Sequence, residues 1–318
     1  MNDQRPAEVS VINPITPAID RVKLMLFRPF DLGRWFVIGI CAWLASLGSG
    51  GGGGPRANFP FEGESDARQT VNQAKEYILA NLYWIVPLVV FLVLFGIVLW
   101  LVLTWLSSRG KFMFLHCVSG NKAEVKNPWR KFREHANSLF AFRIVLSLVG
   151  FILIILPVVL MVLLIAMMAS AGGPSVGPIV GIVFLVLCII IISICLGLVG
   201  KFTKDFVVPI MFLRTTSVRA AWREFLDVLS VNKGRFLLYL LFQIVIGIAI
   251  SAIVFMGMCF TCCCLMCLLA IPVVGTVVFL PVLIFKRAYS LYYLRQYGPQ
   301  FDVFGPESPQ PALPVNSY

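Results

Sequence analysis

The chain alternates long apolar runs with short polar, basic segments, and the runs have the length of membrane spans. A helix rises 1.5 Å per residue, so about twenty apolar residues cross the hydrocarbon core. Six stretches meet or approach that length, at 35–49, 82–106, 143–171, 177–200, 236–257 and 263–285. The first is short and stops at the glycine run 50–54. The third is long enough to tilt, with Pro157 the natural place for a kink. The last two come from one apolar run, 236–285, that no charged residue divides. Two spans joined by a hairpin at 257–262 fit its length, and a re-entrant turn at Pro272 and Gly275 is the alternative.

Charge supplies an independent test of that count. Of the 26 Lys and Arg, five precede the first span, eight lie in 107–143, seven in 201–235 and three after 285. The other three all fall in the loop after the first span, and the remaining two loops hold none. Alternate segments therefore carry 23 against 3, the bias of a protein whose basic loops stay in the cytoplasm. Both termini are expected there too, in a bacterial plasma membrane. No cleavable signal is visible, because a long polar lead precedes the first apolar run near Trp35.

Composition agrees. Hydrophobic residues make up 59% and charged residues 13%, about half of what a soluble surface needs. With a mean hydropathy of +0.90, lipid must cover the rest. A net charge of +11 would suggest nucleic acid in a soluble protein, but no recognition motif accompanies it and topology accounts for the excess.

Each odd-numbered span follows a basic, aromatic segment, at 20–34, 128–143 and 217–235. The second and third share Trp-Arg-x-Phe, as Trp129, Arg130, Phe132 and Trp222, Arg223, Phe225, and the first has the weaker Phe27-Arg28-Pro29-Phe30. In the third, Val218, Ala221, Trp222, Phe225, Leu226 and Leu229 share one helical face, opposite Arg219, Arg223 and Asp227. The expected fold is an all-α integral membrane protein with six transmembrane helices arranged as three hairpins. Each hairpin is preceded by a cytoplasmic amphipathic interfacial helix. The alternative is that any loop meeting a bilayer collects Trp, Phe and Arg at headgroup level.

The stretch 207–241 resembles the recurring element of a loose group of poorly characterised bacterial polytopic membrane proteins. That group includes the membrane domain fused to some glycerophosphodiester phosphodiesterases. Pro209, Ala220, Ala221 and the basic turn Asn232-Lys233-Gly234-Arg235 carry the likeness, whereas the group often has an acidic residue where Arg214 stands. The resemblance implies a membrane fold. It implies no hydrolase activity, since the match includes no phosphodiesterase domain.

Candidate chemistry is sparse. Cys259, Cys262, Cys264 and Cys267 form two Cys-x-x-Cys pairs, a spacing that suits Zn or Fe–S ligation. They sit among apolar neighbours with no basic residue to stabilise thiolates, so packing of a tight hairpin and a disulfide are the other readings. The glycine run lacks the Gly-Lys-Ser/Thr of a phosphate loop. His116 and His135 have no partner at triad or metal spacing. No span as drawn contains Asp, Glu, Lys, Arg or His internally, which argues against ion-coupled transport and against an intramembrane hydrolase.

The expected function is therefore non-enzymatic, with no cofactor. Arg28, Arg130, Lys131, Arg133, Arg219 and Arg223 would meet anionic headgroups while Trp129 and Trp222 anchor at the interface. Membrane lipids are the expected partner, with a membrane protein or a second copy of the chain as the other candidates. A transporter or channel for a neutral or apolar solute, its helices broken at prolines and glycines, is the alternative. The segments 1–18 and 298–318 read as disordered tails, the second Pro-rich.

Overall fold

Apolar runs of this length can satisfy their backbone polar groups in lipid only by forming helices, and helices are what the chain makes. The computed structural model describes residues 9–28, 30–47, 81–121, 126–170, 176–260 and 272–305, which contain no strand and are 89% helical. In order, the helices are α1 (Ile15–Leu26), α2 (Leu32–Ser46), α3 (Leu82–Gly120), α4 (Lys126–Lys131), α5 (Arg133–Ser170) and α6 (Val176–Phe202). A π turn (Thr203–Val207) leads without interruption into α7 (Val208–Arg214). Then come α8 (Val218–Val231), α9 (Lys233–Phe260), α10 (Pro272–Val278), α11 (Leu280–Arg295) and a 3-10 turn (Pro299–Phe301).

Four of these are long and apolar enough to cross a membrane: α3, α5, α6 with its continuation, and α9. They are the second to fifth of the six expected spans. The first expected span is the 15-residue α2, shorter than a crossing requires. The sixth lies partly outside the described residues and partly on α10 and the start of α11, which meet at Phe279.

At 39 residues α3 is about 58 Å long, roughly twice the hydrocarbon thickness. Its two halves differ accordingly. Residues 82–103 are largely exposed and apolar, whereas Thr104, Ser107 to Gly110, Phe112 to Leu115 and Cys117 to Ser119 are buried. The other long helices divide in the same way, with Phe132, Ala136 and Leu139 buried around the start of α5, and Phe206 to Val208 at the end of α6. Phe236 and Tyr239 are buried at the start of α9. Thus α3 and α6 run toward one packed end of the molecule, and α5 and α9 run away from it.

That end is closed by the shorter helices. α1 packs along α11, α2 lies against α3, and α10 packs on α2. The α2–α3 crossing is backbone against backbone: a Cβ at Gly110 would lie 2.5 Å from Ala45 N and 2.5 Å from the Leu44 carbonyl carbon. Small residues also set the α5–α6 contact, where a Cβ at Gly150 would come within 3.0 Å of Leu196 Cδ1.

Part of each expected tail is folded onto the packed end. Ser10 N donates to Gln296 Oε1 at 2.7 Å, Gln296 Nε2 donates back to Ser10 O at 2.9 Å, and Tyr289 Oη donates to Val11 O at 2.9 Å. Residues 9–18 are therefore part of the folded end, with Val11 and Ala18 buried. At the other terminus Phe301, Val303 and Phe304 are buried, and Phe304 stacks on Tyr292 at 4.3 Å. Residues 1–8 and 306–318 lie outside the described residues.

Candidate functional site

The six basic residues expected to meet headgroups lie on the elements that cover the packed end, and all six are exposed: Arg28, Arg130, Lys131, Arg133, Arg219 and Arg223. The two Trp-Arg-x-Phe segments are buried alike. Trp129 and Trp222 are half-buried, Arg130 and Arg223 exposed, and Phe132 and Phe225 buried. The weaker first copy does not share this, since Phe27 and Phe30 are exposed and rest edge-on against Trp35 at 5.9 and 5.8 Å.

The apolar faces of these segments turn to protein. On α8, Val218, Ala221 and Phe225 are buried, and Phe225 stacks on Phe206 at 5.3 Å. Trp222 contacts Phe142 at 6.1 Å, and Trp129 meets Trp105 edge-on at 6.1 Å. The Arg109 guanidinium lies against both Trp105 and Trp129, at 4.3 and 4.8 Å, so a buried cation rests on two rings set nearly at right angles.

Other arginines serve the helix ends. Arg21 donates from Nε and Nη2 to Val118 O at 3.0 and 2.8 Å and from Nη2 to Ser119 O at 2.5 Å. Arg34 Nη2 donates to Asn121 O at 2.9 Å, and Asn121 takes the left-handed conformation that ends α3. Two cations thus satisfy the last carbonyls of α3 and face the negative end of its dipole. Burial pulls the Arg21 guanidinium below its ordinary value, with Tyr292 opposing.

A second set of cations lines cavities at the packed end, and sequence reasoning missed it. Lys111 of α3, Lys204 of the π turn and Lys286 and Arg287 of α11 line a cavity of about 90 Å³. Lys111 and Lys204 also line a larger cavity of about 680 Å³, together with Arg143 of α5 and Lys201 of α6. The rest of that wall is mostly apolar and includes Trp100, Leu146, Phe151, Ile154 and Leu196 on the membrane-length helices. Of these cations Arg287 is buried, Lys111, Arg143 and Lys201 are half-buried, and Lys204 and Lys286 are exposed.

One carboxylate stands nearby. Tyr239 Oη donates to Asp205 Oδ2 at 3.2 Å, Gln243 Nε2 donates to Tyr239 Oη at 2.9 Å, and Lys201 Nζ donates to Gln243 Oε1 at 3.5 Å. Arg143 Nη1 donates to Ser107 Oγ at 3.1 Å, and Arg287 Nη1 to Lys204 O at 2.5 Å. Burial lowers Arg287 to about 10, opposed by Asp205 and Tyr239, so it stays cationic at neutral pH. Lys111, Lys204 and Lys286 make no side-chain hydrogen bond or ion pair among the described residues. The sequence signal was a cation set directly among apolar neighbours at the edge of a span, as in Gly-Lys111-Phe and Phe-Arg143-Ile.

Of the candidate metal ligands, Cys259 is exposed on α9, and Cys262, Cys264 and Cys267 lie outside the described residues. Among the described residues no group of three or more His, Cys, Asp or Glu stands together. His116 lies 6.2 Å from the rings of Phe132 and Phe212, and His135 lies 6.4 Å from Phe132.

Comparison with known proteins adds one relationship. The model of DUF7544, a family of unknown function, matches residues 9–276. No curated protein and no solved structure matches the chain.

Proposed function

We propose, for a chain that belongs to the DUF7544 family, a non-enzymatic role at the membrane surface: its basic end gathers anionic lipid. Six exposed cations, five of them on the two Trp-Arg-x-Phe segments whose Phe side chains are buried in protein, carry this reading. Each cation near an anionic surface contributes about 1 kcal/mol, so six together concentrate acidic headgroups at that end. In this reading Trp129 and Trp222 fix the arginines beside them as well as meeting the interface.

The same reading takes the chain as a multi-pass protein of the bacterial plasma membrane, with six spans as three hairpins and both termini cytoplasmic. The 23 to 3 division of basic residues supports it, as does the alternating direction of α3, α5, α6 and α9 about the basic end. The likeness of 207–241 to the membrane domain of some phosphodiesterases is kept as a proposal about shared membrane architecture. A path for a neutral solute is less economical, because four cations wall the basic end of the cavity among the long helices.

The test is the lipid shell. Protein is reconstituted into an equal mixture of phosphatidylglycerol and phosphatidylcholine, extracted with its surrounding lipid, and the shell composition is measured. The shell should be enriched in phosphatidylglycerol, less so at high salt, and substituting Gln for all six cations should abolish most of the enrichment. A shell of bulk composition around the native protein rejects the proposal.

A further inference from the structure

Six cations converge on two adjoining cavities at the packed end, and the Asp205 carboxylate is within electrostatic reach of Lys111, Lys204 and Arg287. Lys111, Arg143, Lys201, Lys204, Lys286 and Arg287 come from α3, α5, α6, the π turn and α11, segments separated by up to 176 residues. Lys111 lies within electrostatic reach of Arg143, Lys204, Arg287 and Asp205. Cations gathered in a region of low dielectric repel one another, and Asp205, already held by Tyr239, offsets only one of them. A helix end or a topological bias does not require this arrangement. An anion does.

The cavity these cations share describes the anion further. Its volume of about 680 Å³ falls in the range of ligand pockets. Along α5 the wall runs from Arg143 to Ile154, eleven residues or about 16 Å of helix, from the cations to a wholly apolar region. A soluble anion needs only the charged end. The Thr104 hydroxyl in the same wall is buried and has no hydrogen-bond partner among the described residues. The interruption of α6 by a π turn at Lys204 is a feature often found at functional sites.

We infer that this cavity is the binding site for one phosphate-bearing amphiphile, its headgroup among Lys111, Arg143, Lys201 and Lys204 and its acyl chain along Leu146, Phe151, Ile154 and Leu196. The site rests on the reading of the chain as a protein that holds anionic lipid, and adds a single molecule seated in one cavity to the diffuse shell. Lysine and arginine donors suit a phosphate, and an unpaired lysine supplies charge without a fixed geometry that would select one headgroup. The smaller cavity brings Lys286 and Arg287 to the same two lysines and raises the local potential.

The test uses delipidated full-length protein, native mass spectrometry and thermal unfolding, with phosphatidic acid as the probe and phosphatidylcholine and inorganic phosphate as comparisons. One phosphatidic acid should bind per chain and raise Tm, while phosphatidylcholine binds at least tenfold more weakly. The double variant Lys111→Gln, Lys204→Gln should lose at least tenfold in affinity, and its ligand-free Tm should match or exceed the native value because repulsion is relieved. Lys111→Arg with Lys204→Arg should restore binding.

Gly200→Leu narrows the cavity at a position where an added Cβ meets nothing within 4 Å. It should weaken phosphatidic acid binding at least tenfold. Inorganic phosphate raising Tm as effectively as phosphatidic acid would overturn the amphiphile in favour of a soluble anion. Equal phosphatidic acid affinity in the native protein and the double Gln variant would overturn the site. The six-residue surface variant separates the two proposals, since it should lose shell enrichment and keep the single bound molecule.

Discussion

The two halves of α3 have the same backbone geometry and opposite surroundings. Residues 82–103 present Phe91, Phe95, Leu88 and Leu99 outward, and none of the most apolar window is buried. Residues 104–119 hold serines, an arginine and a lysine, yet most of them are buried. In the first half the apolar surface is the exterior, because lipid takes the part of a core. In the second half the protein makes its own core, from aromatic rings and capped helix ends. Hydrophobicity and burial, which run together in a soluble protein, run in opposite directions along this helix.

The largest expected effect comes from deleting a ring on each side of that divide. Phe206 is fully buried and lies 5.0 to 6.2 Å from the rings of Phe202, Phe225, Phe236, Tyr239 and Tyr293. Phe206→Ala should cost about 3–5 kcal/mol, the range for an emptied aromatic site. Phe91 is 63% exposed and, among the described residues, its one aromatic neighbour is Phe95, with ring centroids 6.2 Å apart. Phe91→Ala should stay within about 0.5 kcal/mol in a bilayer-like medium. Equal losses on denaturant unfolding would mean that the spans carry a protein core of their own.

A glycine pair asks the same question of the backbone. Gly110 meets the α2 backbone, which cannot rotate aside, so Gly110→Ala should cost about 2–3 kcal/mol and loosen α2 from α3. At Gly96 an added Cβ meets nothing within 4 Å. Gly96→Ala should be neutral or stabilising by up to about 1 kcal/mol, through helix propensity. Thermal unfolding of the two variants in one detergent makes the comparison, and a stable Gly110→Ala protein would remove the close crossing.

Four of the six expected spans were legible because their signal is local: twenty apolar residues need no knowledge of the rest of the chain. The repeated Trp-Arg-x-Phe was legible for the same reason, and its shared pattern of burial follows from helical spacing at Phe132 and Phe225. What stayed hidden depends on distance. Ser10 bonds to Gln296 across 286 residues, and no feature of the polar, Pro-containing segment 9–18 announces that partner. The inner cations were hidden likewise. Lys111, Lys204 and Arg287 each look like a residue at the edge of a span, where topology alone explains a positive charge. Only their convergence on one cavity distinguishes them from Arg130 or Arg223.

The smallest expected effect separates two arginines seven residues apart. Arg21 and Arg28 belong to one basic segment, and nothing in their spacing assigns them different work. Arg21 is buried and gives three hydrogen bonds to the last carbonyls of α3, with its guanidinium 5.0 Å from the Phe304 ring. Arg21→Gln replaces a five-donor guanidinium with a shorter amide of two donors and strands buried carbonyls, so it should cost about 1–2 kcal/mol. Arg28 is exposed and makes no hydrogen bond or ion pair among the described residues. Arg28→Gln should leave unfolding unchanged within about 0.5 kcal/mol and reduce only the enrichment of anionic lipid around the protein. Measured together, stability and shell composition should move in opposite variants. If Arg21→Gln depletes the anionic shell at unchanged stability, the buried arginine reaches lipid and the division between packed end and membrane surface fails at that residue.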